Sequence, residues 1–294
     1  MRDIRNRITS IKNTQQITKA MKMVAAAKLR KAQQRMTETR PFAQKLQSVA
    51  GRLVTGGAES GNALLRQPET IQKVAMIVVG SDRGLCGGFN TNLFRTVETH
   101  ISAELSEFQD SDKLDLFVIG RKGDQYFRKR KYQVVKSWPG FFDTLNYEDT
   151  SAIMSDLSLA FAEGKYDRVL IAFNEFKTVI AQNRVITDVL PVQVSELETD
   201  IEPNENALAE YLYEPDAPTI LSELLPLYLN MQLWRAVLES NASEQGARMA
   251  AMDNATENAK ELEQELSLKY NQARQSAITT EISEIVSGAA ALGG

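Results

Sequence analysis

The chain has 294 residues, of which 43% are hydrophobic and 24% are charged, with 16 Gly and 8 Pro. This composition excludes a disordered or fibrous chain, and the length predicts two globular structural units. One cysteine, Cys86, and one histidine, His100, exclude an intramolecular disulfide and leave too few soft ligands for a structural zinc site. We therefore expect neither a bound metal ion nor a cofactor.

The net charge of −4 hides a strong asymmetry along the chain. Residues 1–52 hold thirteen Lys and Arg against two acidic residues, which gives this segment a net charge of +11. Residues 185–234 hold ten Asp and Glu and no Lys or Arg. The basic segment indicates an acidic partner surface, a membrane or nucleic acid, and the alternative is a solvated basic helix face.

No apolar run approaches the roughly 18 residues of a membrane-spanning helix, and the start of the chain has no apolar signal-peptide core. We therefore expect a soluble, cytosolic protein. Attachment to a membrane surface stays open.

Residues 2–50 contain one proline, Pro41, and are rich in Ala, Lys, Arg, Gln and Met, which are strong helix formers. This composition predicts one long helix within residues 1–55. Apolar side chains recur every three or four residues along one of its faces, and such a seam predicts a partner helix. These side chains are Ile4, Ile8, Ile11, Ala25, Leu29, Ala32, Met36, Ala43, Leu46, Ala50 and Leu53.

The seam is interrupted over residues 14–24, where the same register carries polar side chains. These are Gln15, Thr18 and Lys22. Two arrangements are open: the seam is polar there, or the helix turns and presents a second set of side chains to its partner. The second set is Ile17, Met21 and Val24.

A second long helix is predicted within residues 210–290. Asp216 and Pro218 are typical of a helix start, and the pattern continues with few breakers to about Val286. Pro226 should bend this helix without ending it, and Gly246 is a second flexible point. Its predicted seam consists of Leu238, Ala242, Gln245, Met249, Met252, Ala255, Ala259, Leu262, Leu266, Ala273, Ala277, Ile278, Ile282, Ile285, Ala289 and Leu292.

Both predicted helices are far longer than the ordinary mean of about 11–12 residues, and a large insertion separates them. An antiparallel two-helix coiled coil, formed from the two ends of the chain, satisfies both seams at once.

The insertion, residues 70–195, has short β-branched runs that are typical of buried strands. The runs are Val74–Val79, Leu114–Ile119 and Arg168–Phe173. Amphipathic helical segments alternate with them over 93–108 and 153–161, and a hairpin is predicted from 176–180 and 185–190, on either side of Gln182 and Asn183. We infer a fold that combines α/β and coiled-coil parts, with an inserted open sheet of Rossmann-like type.

The segment Gly80–Asn90 follows the first predicted strand and resembles a phosphate loop at first sight. Its glycines do not form G-x-G-x-x-G, and no G-K-[ST] follows, so neither nucleotide fingerprint is present. We interpret the glycines as residues of a tight turn with close backbone packing. Cys86 has no neighbouring His or Lys in sequence, which favours a buried, inert thiol, and His100 is interpreted as a helix-face residue.

The residues alone leave two alternative functions open. A nucleotide-dependent α/β enzyme lacks a phosphate fingerprint, and no spacing of Ser81, Asp82 or other carboxylates indicates an acid–base pair. A coiled-coil protein that binds nucleic acid or a membrane surface would suit the basic N-terminal helix. Against it, the basic residues alternate with an apolar seam, and the predicted partner helix is acidic.

Four stretches of the chain resemble the gamma subunit of F-type ATP synthases. They are Ile4–Lys28, Ser81–Gly88, Ser243–Met252 and Tyr270–Ala289. They occur in order and cover both ends and the middle of the chain, so the resemblance is specific. Chloroplast members carry a cysteine-containing regulatory insert in the middle domain, and its absence here indicates a bacterial type.

The resemblance implies a central rotor stalk, not a catalyst, which couples rotation of the c-subunit ring to conformational change in the catalytic beta subunits. The implied partners are the alpha and beta subunits, the epsilon subunit and the c-ring, with no nucleic acid. It implies a peripheral protein at the cytoplasmic face of the bacterial inner membrane, attached only through the complex, which takes part in ATP synthesis and hydrogen ion transport.

The resemblance also implies roles for individual residues. The implied beta-subunit contacts are Met21, Lys22, Met23, Arg83, Arg248, Gln275 and Thr279. The implied bearing at the shaft tip consists of Ile282, Ile285 and Leu292. The implied c-ring contact at the foot consists of Tyr213 and Glu214. Each of them has a plainer interpretation as an ordinary solvated helix or loop residue.

Overall fold

The computed structural model describes residues 1–58, 61–194, 197 and 213–292, with the last side chain described at Ser287. The chain divides into two compact units. One consists of Met1–Ala26 and Arg248–Gly294, and the other of Ala27–Ala247.

Two long helices supply residues to both units. Helix α1 extends over Arg2–Thr55 and contains Pro41, and the C-terminal helix extends over Ala217–Leu292 and contains Pro226. The predicted helices are therefore present, and the second one reaches six residues beyond the predicted end at Val286. Asp216 caps its start, since its carboxylate accepts the Thr219 backbone N–H at 2.9 Å.

In the residues that the structure describes, the larger unit contains a five-stranded sheet and, among its shorter helices, those named here as α2 to α5. In chain order the elements are β1 (Val74–Val79), α2 (Phe89–Glu104), α3 (Ser106–Asp110), β2 (Leu114–Ile119), α4 (Arg121–Lys129), β3 (Val134–Trp138), α5 (Tyr147–Ala162), β4 (Arg168–Phe176), β5 (Gln182–Leu190) and the C-terminal helix, α6. The strand order is β3-β2-β1-β4-β5. The first four strands are parallel, and β5 is antiparallel to β4.

Helices cover both faces of the sheet, which explains why β1 and β2 are apolar at nearly every position. Alternate residues of β1 point to opposite sides, so that Ala75, Ile77 and Val79 lie in one buried cluster and Val74, Met76 and Val78 in the other. The first cluster also contains side chains of α5, the end of α1 and the start of α6. The second contains side chains of α2 and α4.

Several local elements differ from the sequence prediction. The hairpin consists of β4 and β5, with its turn at 177–181, whereas Gln182 and Asn183 lie in β5 and not in the turn. The predicted helix over 93–108 is divided at Leu105 into α2 and α3. Strand β3 and helix α4 were not predicted. Because β3 is an edge strand with two exposed residues, it lacks the continuous apolar run of a buried strand.

In the unit of Met1–Ala26 and Arg248–Gly294, α1 and α6 pack side by side. Lys12 Nζ lies 3.3 Å from Glu263 Oε1, and Lys22 Nζ lies 2.6 Å from Asp253 Oδ1. Partner numbers fall along α6 as they rise along α1, so the two helices are antiparallel here.

The structure decides between the two arrangements predicted for residues 14–24. Thr18 is 8% exposed, and the Thr256 hydroxyl lies 2.7 Å from the Thr18 hydroxyl. Ile17 and Val24 are exposed instead. The seam is therefore polar at this point, because two hydroxyls satisfy each other across it.

Four described positions of the predicted α6 seam are wrong because their side chains are exposed: Leu262, Ile278, Ile282 and Ile285. Leu262 is 45% exposed and Ile278 is 46% exposed, whereas Ala259 and Leu266 are buried. Leu262 leaves the contact face because an α-helix drifts by about 20° per heptad against a strict seven-residue repeat. Ile278, Ile282 and Ile285 are exposed because the Lys12–Glu263 and Lys22–Asp253 pairs place the start of α1 opposite an earlier part of α6.

Candidate interaction surfaces

A cleft of about 480 Å³ opens in the Ala27–Ala247 unit, and we call it the basic cleft. Helix α1, the loop after β1, the segment after β3 and helix α6 each supply part of its wall. Its lining residues are Lys28, Lys31, Ala32, Arg35, Asp82, Arg83, Phe142, Asp143, Thr144, Leu145, Asn241, Glu244 and Gln245.

Two lysines of the basic cleft have no acidic partner among the described residues, whereas both oxygens of the buried Asp82 carboxylate accept hydrogen bonds. Within the described part of the chain, Lys28 and Lys31 form no ion pair. Arg35 donates one hydrogen bond, to the Leu145 carbonyl at 3.4 Å. Asp82, by contrast, is 7% exposed and accepts hydrogen bonds from three backbone N–H groups. The cleft therefore presents the positive charges of Lys28 and Lys31 to an anionic partner.

Arg83 lies at this cleft and is mostly exposed, with its guanidinium 3.3 Å from the Asp143 carboxylate. Both side chains are more than half exposed, so this pair is worth little on its own, about 0–1 kcal/mol. The resemblance had singled out Arg83 alone. No signal in the sequence joins it to Lys28, Lys31 and Arg35, which lie more than 45 positions away.

The segment Gly80–Asn90 packs as the tight turn that was predicted. The Asn90 side chain accepts from the Ser81 backbone N–H at 3.1 Å and donates to the Ser81 hydroxyl at 2.7 Å. Cys86 is buried beside it, with Sγ 3.4 Å from Asn90 Nδ2. Gly120 has φ +98°, and a side chain there would lie 2.9 Å from the Ser81 backbone. Backbone packing of this kind needs glycine.

The predicted contacts Met21, Lys22 and Met23 lie on α1. Met23 is 61% exposed, while Met21 and Lys22 are half-buried. Lys22 forms the ion pair with Asp253 described above. Only Met23 is thus fully available to another molecule.

The predicted contacts Arg248, Gln275 and Thr279 lie on α6 and differ in exposure. Arg248 is 9% exposed, whereas Gln275 and Thr279 are exposed one turn apart. The Thr279 hydroxyl donates to the Gln275 carbonyl at 2.9 Å and can still accept a hydrogen bond from a partner, whereas the Gln275 amide can both donate and accept.

The end of α6 is apolar and exposed. Ile282 is 56% exposed and Ile285 is 70% exposed. Leu292 ends the helix, and its side chain lies outside the described residues. Val286 is also exposed, at 61%, and extends this apolar surface.

The predicted foot contacts Tyr213 and Glu214 are exposed and lie just before α6. Most of the acidic stretch that precedes them in sequence lies outside the described residues.

A buried polar cluster lies at the opposite edge of the sheet, where β1, β2 and β4 begin. The Asp115 carboxylate accepts from the Tyr166 hydroxyl at 2.8 Å and pairs with Lys73 Nζ at 2.8 Å. Burial raises the pKa of the Tyr166 hydroxyl, and the hydrogen bond to Asp115 raises it further. This cluster was not predicted, because its members are 42 to 93 positions apart.

Among the described residues, no group of three or more His, Cys, Asp and Glu side chains has the arrangement of a metal site. His100 lies on α2 as predicted, with Nδ1 3.3 Å from the Glu104 carboxylate. Over the same part of the chain, no helix is apolar enough for long enough to cross a lipid bilayer.

Comparison with known proteins gives full-length matches. A family model described as ATP synthase matches residues 1–292. The ATP synthase gamma chain of Chlorobaculum parvum is 47% identical over 292 residues, covering 99% of this chain and 98% of the relative. The ATP synthase gamma chain of Salinibacter ruber is 44% identical over 301 residues, covering 99% of this chain and 98% of the relative.

A solved structure of the Euglena gracilis mitochondrial ATP synthase, with OSCP, F1 and c-ring in rotational state 3, contains a chain of similar fold. The TM-score is 0.70 at 20% identity, and the match covers 99% of this chain and 94% of that chain.

Proposed function

The chain belongs to the family of ATP synthase gamma chains, and from this premise we propose that it is the central rotor stalk of a bacterial F-type ATP synthase. Its partners are the alpha and beta subunits of the catalytic hexamer, the epsilon subunit and the c-subunit ring. It lies at the cytoplasmic face of the inner membrane and attaches through the complex. The full-length match to gamma chains is the observation that carries the proposal.

In this proposal residues 1–55 and 210–290 form an antiparallel coiled-coil shaft, and residues 70–195 form a Rossmann-like domain. The antiparallel contacts between α1 and α6 support the shaft. The strand order β3-β2-β1-β4, with all four strands parallel and both faces of the sheet covered, supports the Rossmann-like domain.

The subunit acts by coupling and has no catalytic residue of its own. A shaft without rotational symmetry presents a different face to each of the surrounding beta subunits. Each beta subunit is then biased toward a different conformation, because a ligand shifts an equilibrium only by its differential contacts. Rotation of the shaft, driven by proton or sodium flow through the c-ring, moves these biases from one subunit to the next.

The shaft contacts beta subunits through Met21, Lys22 and Met23 on α1. Exposure of Met23 supports this assignment, and Ile17 and Val24 are further exposed apolar side chains in the same stretch of α1. Because Thr18 occupies the seam, these apolar side chains are left for a partner outside the helix pair.

Gln275 and Thr279 contact a beta loop from α6, with Gln275 supplying the hydrogen bonds. Arg248 makes a separate contact, since it lies 27 positions before Gln275 on the same helix. Its low exposure indicates that the aliphatic stem packs within this chain and that only the guanidinium edge reaches the partner.

Arg83 contacts a beta subunit, and the basic cleft extends this contact. The unpaired Lys28 and Lys31 favour an acidic segment of the partner, which fits a docking role for the basic N-terminal region. The alternative reading of that region, a solvated helix face, predicts no effect of these charges on assembly.

The tip of the shaft, Ile282, Ile285 and Leu292, turns in an apolar bearing formed by the surrounding subunits. The exposed isoleucines support this role, since a contiguous exposed apolar surface marks an interaction site. At the foot, Tyr213 and Glu214 face the c-ring.

Assembly with defined partners tests the proposed function. The full chain is mixed with purified alpha and beta subunits, and a probe fixed to Tyr213→Cys, in a Cys86→Ser background, reports rotation of single complexes during ATP hydrolysis. We expect one copy of the chain per hexamer and unidirectional rotation. A chain that does not join the hexamer, or a probe that stays still while ATP is hydrolysed, contradicts the proposal.

Calorimetry of the isolated chain with ATP distinguishes the proposed rotor stalk from the main alternative, a nucleotide-dependent enzyme. A nucleotide-dependent enzyme binds ATP at micromolar concentration or tighter, whereas a rotor stalk without a phosphate loop does not.

A further inference from the structure

One carboxylate ties together three loops at the edge of the sheet where the parallel strands end. Asp82 Oδ1 accepts the Gly140 backbone N–H at 2.6 Å and the Arg121 backbone N–H at 3.0 Å. Asp82 Oδ2 accepts the Phe142 backbone N–H at 3.0 Å. The loop that follows β1 therefore binds, through the single Asp82 side chain, the loop that follows β3 and the Arg121 backbone at the start of α4, just after β2.

The local sequence makes this close approach possible. Asp82 comes three residues after the end of β1, where the loop turns across the neighbouring strand end. Gly140 adopts φ +84° and Gly120 adopts φ +98°, a conformation that side chains rarely tolerate. Both glycines thus let the backbone approach the Asp82 carboxylate and its neighbour Ser81. Hydrogen bonds to an ionised acceptor are stronger than neutral ones.

The three loops include two walls of the basic cleft. Arg83 follows Asp82 directly, and Asp143 follows Phe142 directly. Since the Arg83–Asp143 ion pair is exposed, it does not hold the two loops together by itself. The buried hydrogen bonds of Asp82 to the Gly140 and Phe142 backbone N–H groups join these two loops directly.

We propose that Asp82 is a positioning residue of the basic cleft, which holds the Arg83 guanidinium beside residues 142–145 for contact with the partner. This inference rests on the proposed function, because that function assigns a partner to Arg83. Asp82 is too buried to contact the partner itself. Its effect passes through the placement of Arg83.

A double-mutant cycle tests the proposal in the full chain. Asp82→Asn, Arg83→Ala and the double variant are each reassembled with alpha and beta subunits, and the rate is measured at low and high salt. Asparagine keeps one oxygen acceptor but places an N–H group against a backbone N–H group. We expect each single variant to slow reassembly about threefold to tenfold at low salt.

The double variant decides the mechanism. If Asp82 acts through Arg83, the double variant reassembles no more slowly than Arg83→Ala alone. If the two slowing factors multiply, or if Asp82→Asn reassembles at the normal rate, the positioning role is wrong. If Arg83→Ala alone reassembles normally, the proposed Arg83 contact is wrong, and the positioning role is contradicted with it.

A matched control separates positioning from loss of stability. Tyr166→Phe weakens the same sheet at its opposite edge, far in sequence from the cleft walls. We expect it to lower the unfolding midpoint as Asp82→Asn does while reassembling at the normal rate. Equal slowing by Tyr166→Phe assigns the Asp82 effect to stability and overturns the proposal.

Discussion

The Tyr166 hydroxyl donates a 2.8 Å hydrogen bond to the Asp115 carboxylate, and both side chains are buried at the start of the parallel strands. Lys73 Nζ completes the cluster at 2.8 Å from the same carboxylate. A buried carboxylate of this kind is tolerated only with such partners, because desolvation penalises its charge.

Tyr166→Phe removes the hydroxyl that donates to Asp115 and leaves the Lys73 ammonium as the partner of that carboxylate. We expect the free energy of unfolding to fall by about 1.5–3 kcal/mol, the usual contribution of a hydrogen bond to a charged group. Urea denaturation followed by circular dichroism measures it. Tyr132→Phe is the control, since Tyr132 is half-buried and its hydroxyl forms no hydrogen bond in the part of the chain that the structure describes. An equal loss in both variants contradicts the assignment.

Alkaline pH should weaken the same site. Burial raises the pKa of Tyr166, so the folded chain keeps a phenol proton that the unfolded chain releases above pH about 10. The contribution of Tyr166 to the free energy of unfolding is therefore fully present below pH about 10. It is lost as pH rises toward the folded pKa, by about 1.4 kcal/mol per pH unit for one proton. Unfolding measured from pH 9 to 11 should show a shallower loss in Tyr166→Phe. Identical slopes in the variant and the parent argue against this titration.

Charge reversal in the basic cleft should slow assembly. Lys28→Glu with Lys31→Glu should reduce the reassembly rate with alpha and beta subunits about threefold to tenfold at 50 mM salt, and less at 0.5 M, because salt screens exposed charges. Arg30→Glu is the matched control for each single variant, Lys28→Glu or Lys31→Glu, because it changes the charge by the same amount: Arg30 is exposed on the same helix but does not line the cleft. If Arg30→Glu slows assembly as much as each single cleft variant, the general charge of the helix is responsible and the cleft is not a docking site.

Loss of the Gln275 side chain should impair coupling without affecting folding. Gln275→Ala removes an exposed amide that we assign to a beta-subunit contact, at a cost of about 1 kcal/mol or roughly fivefold in rate. The readout is ATP synthesis by vesicles that contain the reassembled enzyme. Gln272→Ala removes the same group one turn earlier on α6 and should leave the rate unchanged. Normal synthesis by Gln275→Ala contradicts the contact. Arg248→Ala is a less direct test, since Arg248 is 9% exposed and its loss also removes packing.

The local sequence pattern was sufficient to predict the helices and strands that bury at least one whole face. The long helices α1 and α6 were predicted because apolar residues recur at helical spacing over many turns, with few interruptions. Strands β1 and β2 were predicted because both of their faces are covered, which requires an unbroken apolar run. The gamma-chain family could be identified for the same reason, since its motifs are continuous in sequence.

Tertiary structure alone decided the features that depend on distant neighbours. Edge strand β3 has exposed residues and no continuous apolar run, and the hairpin turn at 177–181 is set by the pairing of β4 with β5. The choice of Thr18 over Ile17 for the helix seam depends on Thr256, 238 positions away. The grouping of Arg83 with Lys28 and Lys31 in one cleft depends on the packing of α1 beside two loops of the sheet. Periodicity reports which side of a helix or strand is buried, but not which residue lies opposite, because that is set by the packing of elements far apart in sequence.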